Sequence, residues 1–368
     1  MRKKLDFSNP LDSITGHVEH LSSFSPCEDV ADNLPGTFTW KEKSDYAQLR
    51  ADDDSMRISC VALSPDGGSL ATGSADGTFT LWRLRDFVPV RTYAAESRIT
   101  ALAFAPNGQD LTIGCKAKRV VNLLDMDVVK KYIPYVVDVG LGAVTAVAYN
   151  AKGDHIAVVT AEEDGLYIFC ACKHGFDLLY KTARPARVTA VTWCLSSSGL
   201  EQCRTVEGNY VFSWTIGRLS TSAPGQLRGR EGTISAYVRH PAGYTVLGTS
   251  QGRLWVHHHP VSREDTPDSK SHAGVEYSTR VSTLACSANG KHVAAGFDSG
   301  HIRVFDAQEL DTLAEYRFAK ATVSHLAIAN ADNVHRVVCL YADGTVCLKD
   351  IRHFRSKSMS SLSAKLGL

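Results

Sequence analysis

The chain has 368 residues, of which 44% are hydrophobic, and its formal net charge is only +1. This composition is that of a folded globular protein and excludes a mainly disordered chain. No window approaches the roughly 18 consecutive apolar residues of a membrane helix, and Met1-Arg-Lys-Lys-Leu-Asp6 is followed by polar residues instead of a signal-peptide core. We therefore expect a soluble intracellular protein, cytoplasmic or nuclear, without a membrane partner.

The ten cysteines predict reduced, buried thiols and no disulfide framework. No C-x-x-C pair occurs, and most of the cysteines lie inside strand-like runs, namely Cys60, Cys115, Cys194, Cys286, Cys339 and Cys347.

The first 36 residues are rich in Ser, Asp and Pro and predict a partly disordered N-terminal extension. Gly16-His17 and Phe24-Ser-Pro26 leave an additional strand unit in this segment as an alternative, although no second strand is recognisable between them. Residues 37–50 contain at least one strand, within Thr37–Trp40 or Tyr46–Leu49.

A complete strand unit spans residues 58–84. Its three strands are predicted over Ile58–Leu63, Ser69–Ser74 and Thr78–Trp82. The turn at Asp76-Gly77 closes a tight hairpin, because glycine supplies the positive φ angle that such a turn needs.

The unit recurs seven times at steps of 41 to 47 residues, beginning at Ile58, Ile99, Val144, Val188, Ile234, Val281 and Val323. Six units keep a glycine at the tight turn, namely Gly77, Gly165, Gly208, Gly252, Gly300 and Gly344, and the second unit has Lys116-Ala-Lys118-Arg119 instead. An outer strand follows each third strand, for example at Val88–Tyr93, Val128–Tyr132, Asp177–Lys181 and Thr312–Arg317. Residues 260–278 form the longest insertion and predict a mobile loop.

This period and turn chemistry resemble the WD-repeat family, in which one repeat forms one blade of a β-propeller. The resemblance implies an all-β, seven-bladed propeller over residues 37–351. No strand-like run follows Ile351, so we expect the strand within 37–50 to close the last blade. Residues 352–368 are predicted to be a basic, serine-rich C-terminal tail.

The chain departs from the family pattern in lacking its Gly-His dipeptides. In the family, that histidine bonds to the turn aspartate and then to the tryptophan. The corresponding positions hold Asp54, Ala95, Gly140, Arg184, Arg230, Tyr277 and Ala319, so we expect this buried polar network to be absent and the blades to be held by apolar packing.

No catalytic constellation is found, and we expect a protein that is not an enzyme and that has no cofactor, metal site or small-molecule substrate. The sequence lacks G-x-x-x-x-G-K-[ST], G-x-S-x-G and H-E-x-x-H. His257-His258-His259 is the most metal-like cluster, but no set of three or four converging ligands is identifiable, so a polar blade edge explains it better.

The residue before each first strand is the more informative position, because four of the seven are arginine. The resemblance places this position and the Lys116 turn on one face near the central channel. A partner-binding site for an acidic or phosphorylated peptide would then consist of Arg57, Arg98, Arg187, Arg280, Lys116, Lys118 and Arg119. The alternative is that these arginines pair with acidic turn residues such as Asp76, Glu163 or Asp298.

The leading interpretation is a non-enzymatic scaffold that binds other proteins within a multiprotein complex. The alternative is an RNA-associated subunit of a ribosome-assembly or RNA-processing particle, which would use the tail and the basic fifth unit, namely Arg218, Arg228, Arg230, Arg239, His240, Arg253, His257 and Arg263. The Phe-Arg-Arg-Gly motif of phosphoinositide-binding propellers does not occur.

Overall fold

The computed structural model describes residues 38–351, apart from positions 44, 52, 96, 117–118, 124–134, 139–142, 162–164, 173–174, 184–187, 196–198, 209, 217–224, 227–232, 242, 258–272, 277, 308–309 and 332–333. The predicted N-terminal extension, with its alternative additional unit, and the predicted C-terminal tail lie outside the described residues.

The described residues form 29 β-strands and one short 3-10 helix, Asp54–Met56. In chain order the strands are β1 (Phe38–Glu42), β2 (Ala47–Ala51), β3 (Ile58–Leu63), β4 (Ser69–Ser74), β5 (Thr78–Arg83), β6 (Val88–Ala94), β7 (Ile99–Phe104), β8 (Leu111–Cys115), β9 (Arg119–Leu123), β10 (Tyr135–Asp138), β11 (Val144–Tyr149), β12 (His155–Thr160), β13 (Gly165–Cys172), β14 (Gly175–Ala183), β15 (Val188–Leu195), β16 (Glu201–Glu207), β17 (Tyr210–Thr215), β18 (Gly225–Gln226), β19 (Ile234–Arg239), β20 (Thr245–Thr249), β21 (Arg253–His257), β22 (Ala273–Glu276), β23 (Val281–Cys286), β24 (His292–Phe297), β25 (Ile302–Asp306), β26 (Thr312–Tyr316), β27 (Val323–Ala331), β28 (Val334–Tyr341) and β29 (Val346–Ile351).

Within the described residues these strands form six regular four-stranded antiparallel sheets and one five-stranded sheet. We call them sheet 1 (β3–β6), sheet 2 (β7–β10), sheet 3 (β11–β14), sheet 4 (β15–β18), sheet 5 (β19–β22), sheet 6 (β23–β26) and the closing sheet (β1, β2, β29, β28 and β27). Each inner strand contacts the inner strand of the next sheet, and β27 contacts β3, so the sheets form a closed ring. The predicted all-β propeller is confirmed.

Both ends of the described chain meet in the closing sheet. Ala47, Gln48 and Leu49 of β2 pair with β29, which confirms the prediction that an N-terminal strand completes this sheet. The sheet contains one strand more than predicted, because β1 adds outside β2. Trp40 of β1 then packs on sheet 1, with its ring centroid 5.9 Å from that of Trp82 and 4.9 Å from that of Phe87.

Every inner strand has the same irregularity after its first residue, where the pairing register shifts by one position. The extra residue is a serine or threonine in each unit, namely Ser59, Thr100, Thr145, Thr189, Ser235, Ser282 and Ser324. The Ser59 hydroxyl donates to the Gly73 carbonyl of its own sheet at 3.1 Å and to the Ile99 carbonyl of the next sheet at 2.5 Å. A bulged residue lacks a ladder partner, and the described hydroxyls of these serines and threonines bond carbonyl groups beside the bulge instead. At Ser59, Ser235 and Ser282 the accepting carbonyl belongs to the next sheet, so the hydroxyl joins two neighbouring sheets.

Glycines in the second strands let neighbouring sheets approach closely. A Cβ atom at Gly73 would lie 2.5 Å from Ile99, and one at Gly248 would lie 2.5 Å from Val281. Ile99 and Val281 are first residues of inner strands and are fully buried. The residues that mark the sequence period are therefore the ones buried between sheets.

Two tryptophans form buried hydrogen bonds within their own sheets, which the prediction of blades held mainly by apolar packing did not include. The indole nitrogen of Trp82 donates to the Thr72 hydroxyl at 2.9 Å, and Trp214 donates to Thr205 at 3.2 Å. These bonds do not need the missing histidine, because threonine supplies the acceptor within the same sheet.

Three element predictions need correction. The predicted outer strand Val128–Tyr132 lies outside the described residues, and the described outer strand of sheet 2 is β10. The predicted loop 260–278 contains β22, while residues 258–272 lie outside the described part of the chain. Gly165 begins β13 and has no positive φ, whereas Gly77 and Gly344 do, at +95° and +84°.

Candidate functional site

One end of the ring carries the starts of the inner strands and the turns between the second and third strands. We call this end the top face and the opposite end the bottom face. The carbonyl of Arg57 accepts a hydrogen bond from Ala75 N at 2.9 Å, and the carbonyl of Arg98 accepts one from Lys116 N at 2.9 Å. The same bond recurs at Ala143, Thr233, Arg280 and Thr322. The backbone therefore fixes these positions beside the turns of the top face.

Three of the four predicted arginines are described, and all three are exposed, namely Arg57, Arg98 and Arg280. Lys116 is also exposed. Within the described ranges, none of these four side chains forms an ion pair. Arg187 and Lys118 lie outside the described residues, and only the backbone of Arg119 is described, at the start of β9.

Two described acidic residues of the top-face turns, Asp76 and Asp343, are used locally, whereas Asp298 bonds the Arg280 carbonyl through its backbone N–H at 3.1 Å. The Asp76 carboxylate accepts hydrogen bonds from the backbone N–H of Thr78 at 2.9 Å and from its hydroxyl at 2.8 Å. Asp343 accepts one from Thr345 N at 2.9 Å in the same way. Asp76 therefore stabilises its own turn instead of pairing with an arginine, and Glu163 lies outside the described residues.

The side chain of Arg57 crosses from sheet 1 to the closing sheet. A Cβ atom built on Gly344 would lie 2.5 Å from Arg57 Cγ. Only glycine leaves room for the aliphatic part of Arg57 over this turn, which carries Asp343. The position of Arg57 is thus set by the closure of the ring.

The bottom face holds a group of metal-ligand side chains that the sequence analysis did not identify, formed by Asp154, His155 and Glu201. His155 Nδ1 lies 2.8 Å from Asp154 Oδ1 and 3.3 Å from Glu201 Oε2. The three residues come from the β11–β12 turn, the start of β12 and the start of β16, so the group bridges sheets 3 and 4.

Protein donors occupy the centre of this group. The amide nitrogen of Asn150 lies 2.5 Å from Asp154 Oδ1, 2.9 Å from Glu201 Oε2 and 3.2 Å from His155 Nδ1. Its amide oxygen accepts from two backbone N–H groups, which fixes this orientation. Lys152 Nζ lies 3.1 Å from Glu201 Oε1. A cation would have to displace Asn150, so the arrangement serves as a polar contact between two sheets.

A serine and a histidine also meet on sheet 6, without the geometry of a catalytic triad. Ser299 Oγ lies 2.9 Å from His301 Nδ1. The other ring nitrogen of His301 lies 3.9 Å from Glu315 Oε1, too far for a hydrogen bond, and Arg303 takes that oxygen at 3.0 Å. Glu315 therefore does not orient the imidazole as a nucleophile's base requires.

Cys60 and Cys286 are poor nucleophiles because burial disfavours their thiolate forms. Burial raises the pKa of Cys60 to about 12 and the pKa of Cys286 to about 11. All eight described cysteine side chains are free thiols.

The described side chains of the basic fifth unit are not openly exposed. His240 is buried and hydrogen-bonds through Nε2 to the Gly290 carbonyl of sheet 6. Arg239 and Arg253 are half-buried, and Arg239 Nη1 and Arg253 Nε are fully covered. The side chain of His257 is not described, and Arg218, Arg228, Arg230, His258, His259 and Arg263 lie outside the described residues.

The comparisons with known proteins agree with the fold. The family described as WD domain, G-beta repeat, matches residues 45–83 and 270–306. No curated protein matches the chain in sequence. Among the described residues, no helix has the length and apolar character needed to cross a bilayer.

Several solved structures are similar to the chain over most of its length. The WD40 repeats of RRP9 are 16% identical with a TM-score of 0.66, over 86% of this chain and 100% of that one. U3-55K is 16% identical with a TM-score of 0.66, over 84% and 99%. The β-propeller domain of Cps50 (Swd1) from Myceliophteria thermophila is 14% identical with a TM-score of 0.62, over 85% and 98%. At such identities the likeness shows the fold alone.

Proposed function

We propose that the chain, two segments of which match the WD-domain family model, is a non-enzymatic scaffold in a multiprotein complex and that its top face binds an acidic or phosphorylated segment of a partner. One observation carries this proposal. Arg57, Arg98 and Arg280 stand at equivalent positions on one face, are exposed, and form no ion pair within the described residues. An exposed guanidinium group without an ion pair is available for bidentate hydrogen bonds to a carboxylate or a phosphate.

The neighbouring aspartates support the same function. Asp76 and Asp343 direct carboxylate oxygens at backbone N–H groups of their own turns. They therefore compete less for the arginines than free surface carboxylates would. Their negative charge still disfavours a uniformly anionic ligand, which favours a mixed peptide over a polyanion.

Binding of labelled peptides tests the proposal. We expect a glutamate-rich peptide and a phosphoserine peptide to bind more tightly than their uncharged counterparts. Arg98→Ala should weaken binding of the phosphoserine peptide by about tenfold or more, since a charge-assisted hydrogen bond is worth roughly 1.5–3 kcal/mol. Arg83→Ala is the matched control, because Arg83 is an exposed arginine already paired with Asp86 at 2.7 Å. Equal losses in both variants, or no loss in either, would remove the top-face site.

The RNA-associated alternative draws no support from the described residues of the fifth unit. His240 is buried, and Arg239 Nη1 and Arg253 Nε are covered, so these atoms do not present charge to a phosphate backbone. Binding of a single-stranded homopolymer RNA, weakening steeply as salt rises, would restore this alternative.

A further inference from the structure

The residues that precede the described chain are strongly acidic. Residues 5–37 contain six aspartates and glutamates and no lysine or arginine. Three of the six lie close together, at Glu28, Asp29 and Asp32, and we call residues 28–32 the acidic segment. The whole chain has a formal net charge of +1, so this negative charge belongs to one stretch and not to the protein in general. Such a stretch is complementary to a surface with exposed cations.

The described fold brings the start of β1 close to the route by which the chain enters the top face. Strand β1 begins at Phe38, which pairs with Ala51 at the end of β2. From Ala51 the chain passes through the 3-10 helix Asp54–Met56 to Arg57 on the top face. Asp32 precedes Phe38 by the same number of residues that separate Ala51 from Arg57. An antiparallel partner lies only about 5 Å away, so Asp32 is within reach of Arg57.

The spacing of the acidic residues matches the spacing of two top-face arginines. Arg98 belongs to sheet 2, whose inner strand β7 contacts the inner strand β3 of sheet 1. Sheets that pack face to face lie roughly 10 Å apart, and three extended residues span about the same distance. With Asp32 at Arg57, Asp29 therefore reaches Arg98. Both guanidinium groups are exposed, and neither forms an ion pair within the described residues.

The chain's own acidic residues beside Arg57 keep such a contact weak. Asp53 and Asp54 are both exposed. The Asp53 carboxylate accepts a hydrogen bond from Ser55 N at 2.9 Å, and this bond lowers the pKa of Asp53. Asp53 is therefore engaged by its own turn and leaves the Arg57 guanidinium uncovered, but its charge still opposes an approaching carboxylate. A weak contact is one that a partner can displace.

We propose that the acidic segment docks on Arg57 and Arg98 and thereby competes with the partner for the top face. This inference rests on the proposed function of that face. A tethered segment acts at an effective concentration in the millimolar range, so it occupies the site for much of the time even when its intrinsic affinity is low. The apparent dissociation constant of the partner then rises by the inverse of the fraction of molecules with an open site.

Binding of a labelled phosphoserine peptide to the full chain tests this inference. We call Glu28→Gln, Asp29→Asn, Asp32→Asn the neutralised variant. It should bind the peptide about threefold or more tightly than the wild type does, because its site is open in a larger fraction of molecules.

The matched control is the variant Asp6→Asn, Asp12→Asn, Glu19→Gln, which removes the same charge farther from Phe38. It should bind the phosphoserine peptide as the wild type does. Equal tightening in the control and in the neutralised variant would mean that net charge sets the affinity, and it would overturn the docking of the acidic segment.

A free peptide of residues 24–37 tests directly whether the acidic segment occupies the same site. Added at millimolar concentration to the neutralised variant, it should displace the labelled phosphoserine peptide. The same free peptide with the three substitutions of the neutralised variant should not displace it at equal ionic strength. Adding Arg98→Ala to the neutralised variant should weaken the binding of both peptides, because both use that guanidinium.

Two outcomes would overturn the inference and leave the proposed function standing. One is a neutralised variant that binds the phosphoserine peptide no more tightly than the wild type does, and the other is a free peptide that displaces nothing. Failure of the wild type and the neutralised variant alike to bind the phosphoserine peptide would remove the proposed function, and this inference with it.

Discussion

Basic side chains at the two ends of the ring differ in what they contact. On the bottom face, Arg336 bonds the Asp350 carboxylate through two nitrogens at 2.7 and 2.8 Å, and it also donates to the Gly67 carbonyl of sheet 1 at 2.7 Å. On the top face, Arg98 and Arg280 are exposed without an ion pair among the described residues. On the bottom face Arg336 holds the closing sheet to sheet 1, and the top-face arginines are left available for a partner.

The largest effect should come from opening the ring. Deleting residues 1–51 removes β1 and β2, and with them the fully buried Leu49 and the Trp40 contacts on sheet 1. We expect the truncated chain to lose its cooperative thermal transition, because this loss approaches the roughly 5–15 kcal/mol of stability of a typical domain. Deleting residues 1–36 is the control and should change the melting temperature little. Equal melting of both truncations would contradict the closure.

The second-largest effect should come from acid, which should destabilise the bottom face. Burial and the nearby His335 lower the pKa of His292 to about 4, while Asp306 opposes the shift and Lys291 adds to it. The unfolded value is about 6.5, so the unfolded chain binds more protons between these values, and stability falls as pH drops from 6.5 toward 4. His292 is only 8% exposed, so solvent screens it little. The loss should be on the order of 2–3 kcal/mol at pH 4, at about 1.4 kcal/mol per pKa unit.

Urea unfolding at several pH values measures this effect. His292→Gln should flatten the dependence between pH 6.5 and 4, because glutamine does not titrate. A variant with the same pH slope as the wild type would show that His292 is not the group responsible.

Arg336→Ala should cost about 1.5–3 kcal/mol of unfolding free energy, because it removes charged hydrogen bonds that join the closing sheet to sheet 1. Arg83→Ala provides the comparison. Arg83 forms a similar fork with Asp86, but both side chains are largely exposed, so its loss should cost only about 0–1 kcal/mol. Chemical denaturation of both variants measures the difference, and equal costs would mean that the contact with Gly67 contributes nothing.

A smaller effect should follow from removing one hydroxyl between sheets. Ser282 Oγ donates to the Val323 carbonyl of the closing sheet at 2.6 Å. Ser282→Ala should lower the unfolding free energy by about 0.5–1.5 kcal/mol, whereas Ser282→Thr keeps the donor and should cost less. Stability that is unchanged in the alanine variant would show that water replaces this bond without loss.

The repeat period predicted the inner strands well because each begins with an apolar residue that must be buried between sheets. The inner strand Ile58–Leu63 has the predicted bounds, and so does the second strand of the same sheet, Ser69–Ser74. Outer strands were less predictable. No buried anchor sets their register, so Val128–Tyr132 was predicted where the structure describes Tyr135–Asp138 as the outer strand.

The positions of the site residues followed from the period, but their partners did not. Whether Asp76 bonds Thr78 within its turn or an arginine on another sheet depends on side-chain directions that spacing does not specify. The Asp154, His155 and Glu201 group was missed because its members are distant in sequence and meet only across sheets 3 and 4. The serine or threonine that follows the first residue of each inner strand is visible in the sequence, and it could have predicted the bulges of these strands.

One pair of measurements tests the difference between the two faces most directly. The unfolding free energy and the binding of the phosphoserine peptide are measured in two variants, one altered on the top face and one on the bottom face. The triple variant Arg57→Ala, Arg98→Ala, Arg280→Ala should lose binding while each exposed substitution shifts stability by less than about 0.5 kcal/mol. Arg336→Ala should lose stability and keep its binding under folded conditions. A triple variant that binds as the wild type does, or one that unfolds as readily as Arg336→Ala, would contradict the account.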